Sequence, residues 1–235
     1  MKALILAAGM GTRLRPLTDK IPKCLVPVNG VPIIAKQIEN LVDNSIREIY
    51  IVSGYKSDIL ESVLKGSYPF VNIVLNANYG ETNNMYSAYL TRDVLYGNEF
   101  ILMNGDVFFD ESVISELLKP MYLNSIVVEK GVYNDESMKV RVDNTNRIVE
   151  ISKKIPEILA YGVSIDVYKF SAEASKSFFE RIREIVEVHG RLNEWTEVAL
   201  NEILSTVKFE PCPLKGRWVE IDNYEDLKFA EEIFR

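Results

Sequence analysis

The residues with the clearest chemical potential lie in LAAGMGTR, residues 6–13, where an apolar run ends in two glycines, a threonine and an arginine. Leu6, Ala7 and Ala8 lead into Gly9 and Gly11, whose missing Cβ atoms let backbone N–H groups close on phosphate oxygens. Within the first 23 residues Lys2, Arg13, Arg15, Lys20 and Lys23 stand against a single acid, Asp19. In a chain whose formal net charge is -7, that local excess of cations points to a small anionic ligand. The spacing is G-x-G-x-x-L, with Leu14 where the dinucleotide fingerprint has Gly or Ala, and no G-K-[ST] follows. Neither the dinucleotide nor the P-loop reading holds. A glycine-rich turn carrying solvated cations is the plainer alternative, and Arg15 and Lys20 fit it.

Two aspartates follow apolar runs in a similar way. F-I-L-M-N-G-D-V puts Asp106 just past a strand-like run, with Gly105 letting the backbone turn, and W-V-E-I-D-N ends a late run on Asp222. Carboxylate oxygens are the hard ligands that Mg2+ takes, one or two at a time beside phosphates. An aspartate in this place also serves as a helix cap or turn residue. Asp110, Glu111 and Glu220 read as structural acids. Asn83 and Asn84 precede the aromatic stretch M-Y-S-A-Y-L, and adjacent amides suit either a pyrimidine edge and ribose or a helix cap. His189, the one histidine, sits at a polar helix end and reads as solvated or locally bonded.

The elements that must position these groups alternate. Residues 3–6, 48–52, 71–75 and 100–104 read as strands. Pro32 opens a helix over 33–42, and Ser57 caps another that Gly66 ends. Strands separated by helices imply right-handed βαβ units and a parallel sheet covered on both faces, with ligands outside the carboxyl ends of the strands. Further on, two alternating runs around D-N-T-N predict a hairpin, 160–170 a long strand, 172–188 and 196–204 helices, 217–221 a strand and 224–233 a helix.

With 235 residues and 47% apolar content, the chain has ample length for a core. Its acidity argues against nucleic-acid and membrane-surface partners. No run of about 18 apolar residues predicts a membrane span, and the N-terminal run is too short for a signal peptide. Cys24 and Cys212 have no motif spacing and read as reduced, incidental thiols of a cytoplasmic protein.

L-A-A-G-M-G-T-R-L-R-P-L-T-D-K-I-P-K resembles the L-A-A-G-x-G-[ST]-R and P-K signature of nucleotidyltransferases that activate sugar phosphates and phospho-alcohols with an NTP. The resemblance implies an α/β, Rossmann-like, mostly parallel mixed sheet with helices on both faces, of the nucleotide-diphospho-sugar transferase type. It implies that residues 1–235 form one domain, with 1–110 binding nucleotide and 111–235 binding the acceptor. It implies that Arg13 holds the departing pyrophosphate, Lys23 the α-phosphate, and Asp106 and Asp222 the Mg2+ cofactor. T-N-N-M-Y-S-A-Y-L is similar to the N-N-x-Y-S-x-Y-L of bacterial choline-phosphate-type cytidylyltransferases, which implies CTP. Asn83, Asn84 and Ser87 then join Leu6, Ala7, Ala8, Gly9, Gly11 and Thr12 at the nucleotide.

Lys153, or its neighbour Lys154, matches the place where relatives hold the acceptor phosphate. Glu194, Trp195 and Glu197 match the acceptor pocket, although this stretch has fewer aromatics and acids than the choline type. Phosphocholine, phosphonates, phosphoglutamine and inositol phosphate therefore stay open. The expectation is a Mg2+-dependent cytidylyltransferase, monomeric or homodimeric, serving capsule, surface-glycan or lipid head-group synthesis, with no further acyltransferase or β-helix domain after Asp222. A sugar-1-phosphate uridylyl- or thymidylyltransferase and a catalytically silent nucleotide-binding module are the alternatives.

Overall fold

Alternating apolar strands and amphipathic helices assemble around one nine-stranded mixed sheet in the computed structural model, which describes residues 1–131, 133–134 and 136–235. The strands are β1 (Lys2–Ala7), β2 (Glu48–Ser53), β3 (Asn72–Leu75), β4 (Phe100–Asn104), β5 (Ser125–Glu129), β6 (Lys139–Val142), β7 (Ile148–Ser152), β8 (Gly162–Phe170) and β9 (Glu210–Pro213). Their order is β7-β6-β8-β4-β1-β2-β3, and β5 pairs with β8 and β9. β1 lies parallel to β2 and β4, and β2 parallel to β3, so Ala7, Ser53 and Asn104 end on one edge. That edge is where an open α/β sheet collects ligands.

The alternation of β1 explains how one strand serves two cores. Leu4, Leu6 and Ala8 enter an apolar cluster on one face, and Ala3, Ile5 and Ala7 enter another on the opposite face. Helices Ile33–Asp43 and Ser57–Ser67 connect the parallel strands. On the first face Phe100 stacks on Phe170 with ring centres 4.7 Å apart, and Phe178, Phe179 and Phe209 close around them.

β8 runs antiparallel to β4, β5 and β6. Its register against β5 breaks between Ser164 and Tyr168, and Asp166 adopts φ 58° inside that break. Such bulges re-aim a side chain, here the Asp166 carboxylate. Glycine is required at the start of this strand for steric reasons. A Cβ on Gly162 would stand 2.3 Å from Val128 Cγ1 and 2.5 Å from the Glu129 carbonyl oxygen. Gly162→Ala is therefore expected to lower stability by about 3 kcal/mol, measured by urea unfolding. Unchanged stability would mean that β5 and β8 separate freely there.

A short ribbon joins the late chain to the middle. Val107–Phe109 pairs with Trp218–Glu220, and the Ile221 amide donates to the Asp106 carbonyl at 2.9 Å. Leu14, Phe108, Val219, Ile221, Leu227 and Ala230 fill a third core beneath it. Asn223 and Asp226 form a capping box that starts helix Tyr224–Ile233, which holds the segment carrying Asp222.

The departures from the sequence reading are local. β5, β9 and Val107–Phe109 are additional strands. The second helix is preceded by Lys56 at φ 51° without a side-chain cap, and it runs through Gly66 to Ser67. The helix expected over 172–188 is α-helical to Arg183 and continues as a π-helical turn over Glu184–Val188. Cys24 and Cys212 are free and buried, and burial pushes each thiol up to about 12. Among the described residues, no helix is long and apolar enough to cross a membrane.

Candidate active site

The carboxyl ends of β1 and β4, the ribbon and the bulge of β8 surround a cavity of about 1220 Å³. This exceeds the roughly 300–1,000 Å³ of an ordinary single-ligand pocket, so there is room for two substrates. Leu6, Ala7, Ala8, Gly9, Gly11, Thr12, Arg13 and Lys23 line one wall. The loop is pinned from behind, because Thr18 Oγ1 donates to the Gly11 carbonyl at 2.8 Å and Tyr55 Oη to the Thr18 carbonyl at 3.0 Å. Gly11 adopts φ 59°, and a Cβ there would stand 2.8 Å from Lys23 Cβ. Both its conformation and its contact with Lys23 exclude a side chain.

Lys23 is the centre of the arrangement. Its Nζ donates to Asp106 Oδ2 at 2.7 Å and to Asp222 Oδ1 at 2.6 Å, while Arg13 Nη2 reaches Asp222 Oδ2 at 2.8 Å. Burial alone would lower the Lys23 pKa, but the two carboxylates outweigh it and hold it above the ordinary lysine value. For Asp222, burial pushes upward, and the charges and hydrogen bonds of Lys23 and Arg13 prevail and lower it.

Glu220, read from the sequence as structural, belongs to this group. Asp106, Glu220 and Asp222 each offer a carboxylate oxygen, all within 4.8 Å of one another. Although Glu220 opens onto the cavity, desolvation there and the charges of Asp106 and Asp222 push its pKa up to about 7. Hard oxygen donors at this spacing suit Mg2+ or Mn2+ rather than a thiophilic metal. Asp106 Oδ1 is buried and finds no hydrogen-bond partner among the described residues, as expected of an oxygen meant for a cation. The residues fit a divalent ion.

On the opposite wall Asn83, Asn84 and Ser87 line the cavity. The Asn83 side chain accepts from the Asn84 amide at 2.8 Å and caps the helix Asn84–Tyr89, so capping is one use of this pair. Asn84 Oδ1 accepts from the Thr196 amide at 2.9 Å. Buried Asn76 donates to Ser87 Oγ at 3.1 Å and fixes that hydroxyl at the wall.

At the far end, Lys153 lines the cavity, bonded to Glu136 at 2.9 Å and 5.2 Å from the Trp195 ring centre. Lys154 and Glu194 do not line it, and Glu194 is held by Arg191 at 2.9 Å. Glu197 is buried, and its Oε1 accepts from Tyr168 Oη at 2.6 Å. The same hydroxyl lies 2.9 Å from Asp166 Oδ1. One phenolic proton cannot serve two carboxylates, and burial, reinforced by Glu197, Glu220 and Asp106, raises the Asp166 pKa well above the carboxylate range. Asp166 was not singled out from the sequence, because nothing in its strand marks the bulge.

The other acids and cations hold the frame. Asp110 grips Arg217 with both oxygens at 2.9 Å, and Glu111 accepts from Asn44 at 2.6 Å. Arg15 pairs with Asp19, and His189 lies exposed beside Glu184 at 3.6 Å, away from the cavity lining.

Residues 2–227 match the family described as Nucleotidyl transferase. The chain is 32% identical over its full length to choline-phosphate cytidylyltransferase of Streptococcus pneumoniae, 99% of which it covers. It is also 32% identical to the bifunctional protein GlmU of Methanocaldococcus jannaschii, matching 99% of this chain but 54% of that protein. Among solved structures, the CTP:phosphocholine cytidylyltransferase of S. pneumoniae superposes with a TM-score of 0.81 at 27% identity, covering 100% of this chain and 99% of that one. The fold is the α/β fold of the nucleotide-diphospho-sugar transferases.

Proposed function

We propose that this chain, which belongs to the nucleotidyl transferase family, transfers CMP from CTP to a small phosphate or phosphonate acceptor and releases pyrophosphate. The observation that carries the reading is the meeting of the glycine loop, Arg13 and Lys23 with Asp106, Glu220 and Asp222 in one cavity. In such a site catalysis is positioning and electrostatics. Residues 1–110 supply the nucleotide wall and 111–235 the acceptor wall of a single domain.

An acceptor phosphate oxygen attacks the α-phosphorus in line, the bond to the β-phosphate oxygen breaks, and pyrophosphate leaves. Lys23 stabilises charge on the α-phosphate and Arg13 the charge gathering on the pyrophosphate. Lys153 holds the acceptor phosphate. No general base is needed, since a phosphate monoester with a second pKa near about 6 is already mostly ionised at neutral pH. Asp106, Asp222 and Glu220 would hold Mg2+, which when bound neutralises phosphate charge. Asn83, Asn84 and Ser87 face the base and ribose. Support for CTP is the likeness to the choline-phosphate cytidylyltransferase over nearly the whole of both chains. The acceptor belongs to the phosphocholine, phosphonate, phosphoglutamine or inositol-phosphate class, and a soluble cytoplasmic enzyme feeding surface-glycan or lipid head-group assembly fits that chemistry.

The second reading, a sugar-1-phosphate uridylyl- or thymidylyltransferase, keeps the same glycine loop, Arg13 and Lys23, which meet phosphate and do not select the base. Calorimetric titration of CTP, UTP, dTTP, ATP and GTP with Mg2+ separates the two. Selective CTP binding, tighter by tenfold or more, is expected. A preference for UTP or dTTP would move the function to sugar phosphates, and binding of none would sink both.

A further inference from the structure

Building on the nucleotidyl-transfer reading, we infer that the Lys23 ammonium and a divalent cation compete for the same carboxylates, Asp106 and Asp222, and that nucleotide phosphate relieves this competition by drawing Lys23 away. Lys23 Nζ donates to Asp106 Oδ2 at 2.7 Å and to Asp222 Oδ1 at 2.6 Å, full charge-assisted bonds to both acids. Arg13 takes the remaining Asp222 oxygen at 2.8 Å. Both oxygens of Asp222 therefore carry a protein cation, and Asp106 Oδ1 is the oxygen of the pair with no partner among the described residues.

A magnesium ion sits about 2.1 Å from a carboxylate oxygen. Held by the same two carboxylates, it would share their negative charge with an ammonium that stayed in place, and like charges crowded into a partly desolvated cavity repel strongly. The ion and the ammonium are alternatives.

The position of the lysine stem supplies the route by which nucleotide settles the choice. Lys23 packs against Gly11, where even a Cβ would stand 2.8 Å from Lys23 Cβ. The stem thus runs between the phosphate loop and the carboxylates, and rotation of its outer torsions passes the ammonium from one to the other. Binding of triphosphate withdraws a positive charge from the carboxylates just when the phosphates demand one. Ion and nucleotide are therefore positively coupled, and the coupling is reciprocal. Lys23 makes ion binding conditional on nucleotide, in addition to its contact with the α-phosphate.

The test uses the full chain without nucleotide and reads Mn2+ binding by electron paramagnetic resonance. Wild-type protein is expected to bind Mn2+ weakly, and Lys23→Met to bind one ion at least tenfold more tightly. Adding Asp106→Asn to Lys23→Met should abolish that gain. Equal or weaker binding by Lys23→Met overturns the inference. Because Lys23→Met leaves Asp106 without a counter-ion and Asp222 with Arg13 alone, a second measurement needs no variant. Reductive methylation of Lys23 in the wild-type protein, followed by mass spectrometry, should accelerate at saturating Mg2+. An unchanged rate at saturation would show ion and ammonium sharing the site, contrary to the inference. Neither readout needs turnover. Competition without pyrophosphate release from any NTP would count against the catalytic reading alone, and release without competition against this inference alone.

Discussion

Lys23→Met is expected to lower turnover about 10³-fold with little change in the nucleotide concentration needed for half-saturation. The side chain is nearly isosteric, so Gly11 keeps a neighbour of the same bulk, and what disappears is one charge. Lys23 is 13% exposed and faces two carboxylates, so its ammonium acts in a partly desolvated place where a fixed charge counts for more than in water. Removing it also leaves Asp106 and Asp222 repelling each other. Thermal stability should fall, and Mg2+ should restore it by replacing the lost counter-charge, while turnover stays low at any Mg2+ concentration. Lys23→Arg should recover the stability but little of the rate, because a planar fork cannot place one compact charge between two oxygens. Turnover within tenfold of wild type in Lys23→Met would remove Lys23 from the reaction.

The second large effect falls on the carboxylates. Asp106→Asn should reduce kcat/KM about 10³-fold, and raising Mg2+ should recover part of the loss. Asp106 lies one glycine beyond β4 and is held through its backbone by the bond from Ile221, so an asparagine keeps position and volume and loses only the charge. The substitution relieves repulsion toward Glu220 and Asp222 and gives up the 2.7 Å ion pair with Lys23, so the two effects offset and stability should change little. A fully folded Asp106→Asn protein with wild-type rates would show that no cation is held there. The two variants differ in a useful way: extra Mg2+ repairs stability in one and part of the rate in the other.

The parts of this site that were legible in the sequence are those carried by contiguous residues. LAAGMGTR and Pro22–Lys23 specify both the turn and its charge. Asp106 and Asp222 announce themselves by ending apolar runs. Glu220 was not legible, because the strand near 217–221 can be read from the sequence but its pairing with Val107–Phe109, which brings Glu220 beside Asp106, cannot. Asp166 was hidden for a related reason. Its strand reads as continuous, and only pairing with β5 shows the break in register that turns the side chain into the cavity. Glu194 was matched to the acceptor pocket with its whole stretch by resemblance, yet Arg191 holds it outside the lining while Glu197, three residues on, points inward to Tyr168.

The fold shows the same division. β1, β2 and β4 are long apolar runs between helices and could be placed at once. β9, with the sequence E-P-C-P, carries two prolines, which argue against a strand except at a sheet edge, and an edge is where it lies. The hairpin around Asp143–Asn146 was readable because its turn chemistry is local. Asp143 Oδ1 accepts from the Thr145 amide at 2.8 Å and the Arg147 amide at 3.1 Å.

Cytidylyl transfer is read out as acceptor-dependent pyrophosphate release from CTP. Purified protein with CTP and Mg2+ would be supplied in turn with phosphocholine, a 2-aminoethyl phosphonate, phosphoglutamine, inositol 1-phosphate and glucose 1-phosphate. Release is expected with CTP and one of the first four acceptors, lost on chelating Mg2+ and at least tenfold slower with UTP or dTTP. Release with UTP or dTTP and glucose 1-phosphate alone would rule out cytidylyl transfer.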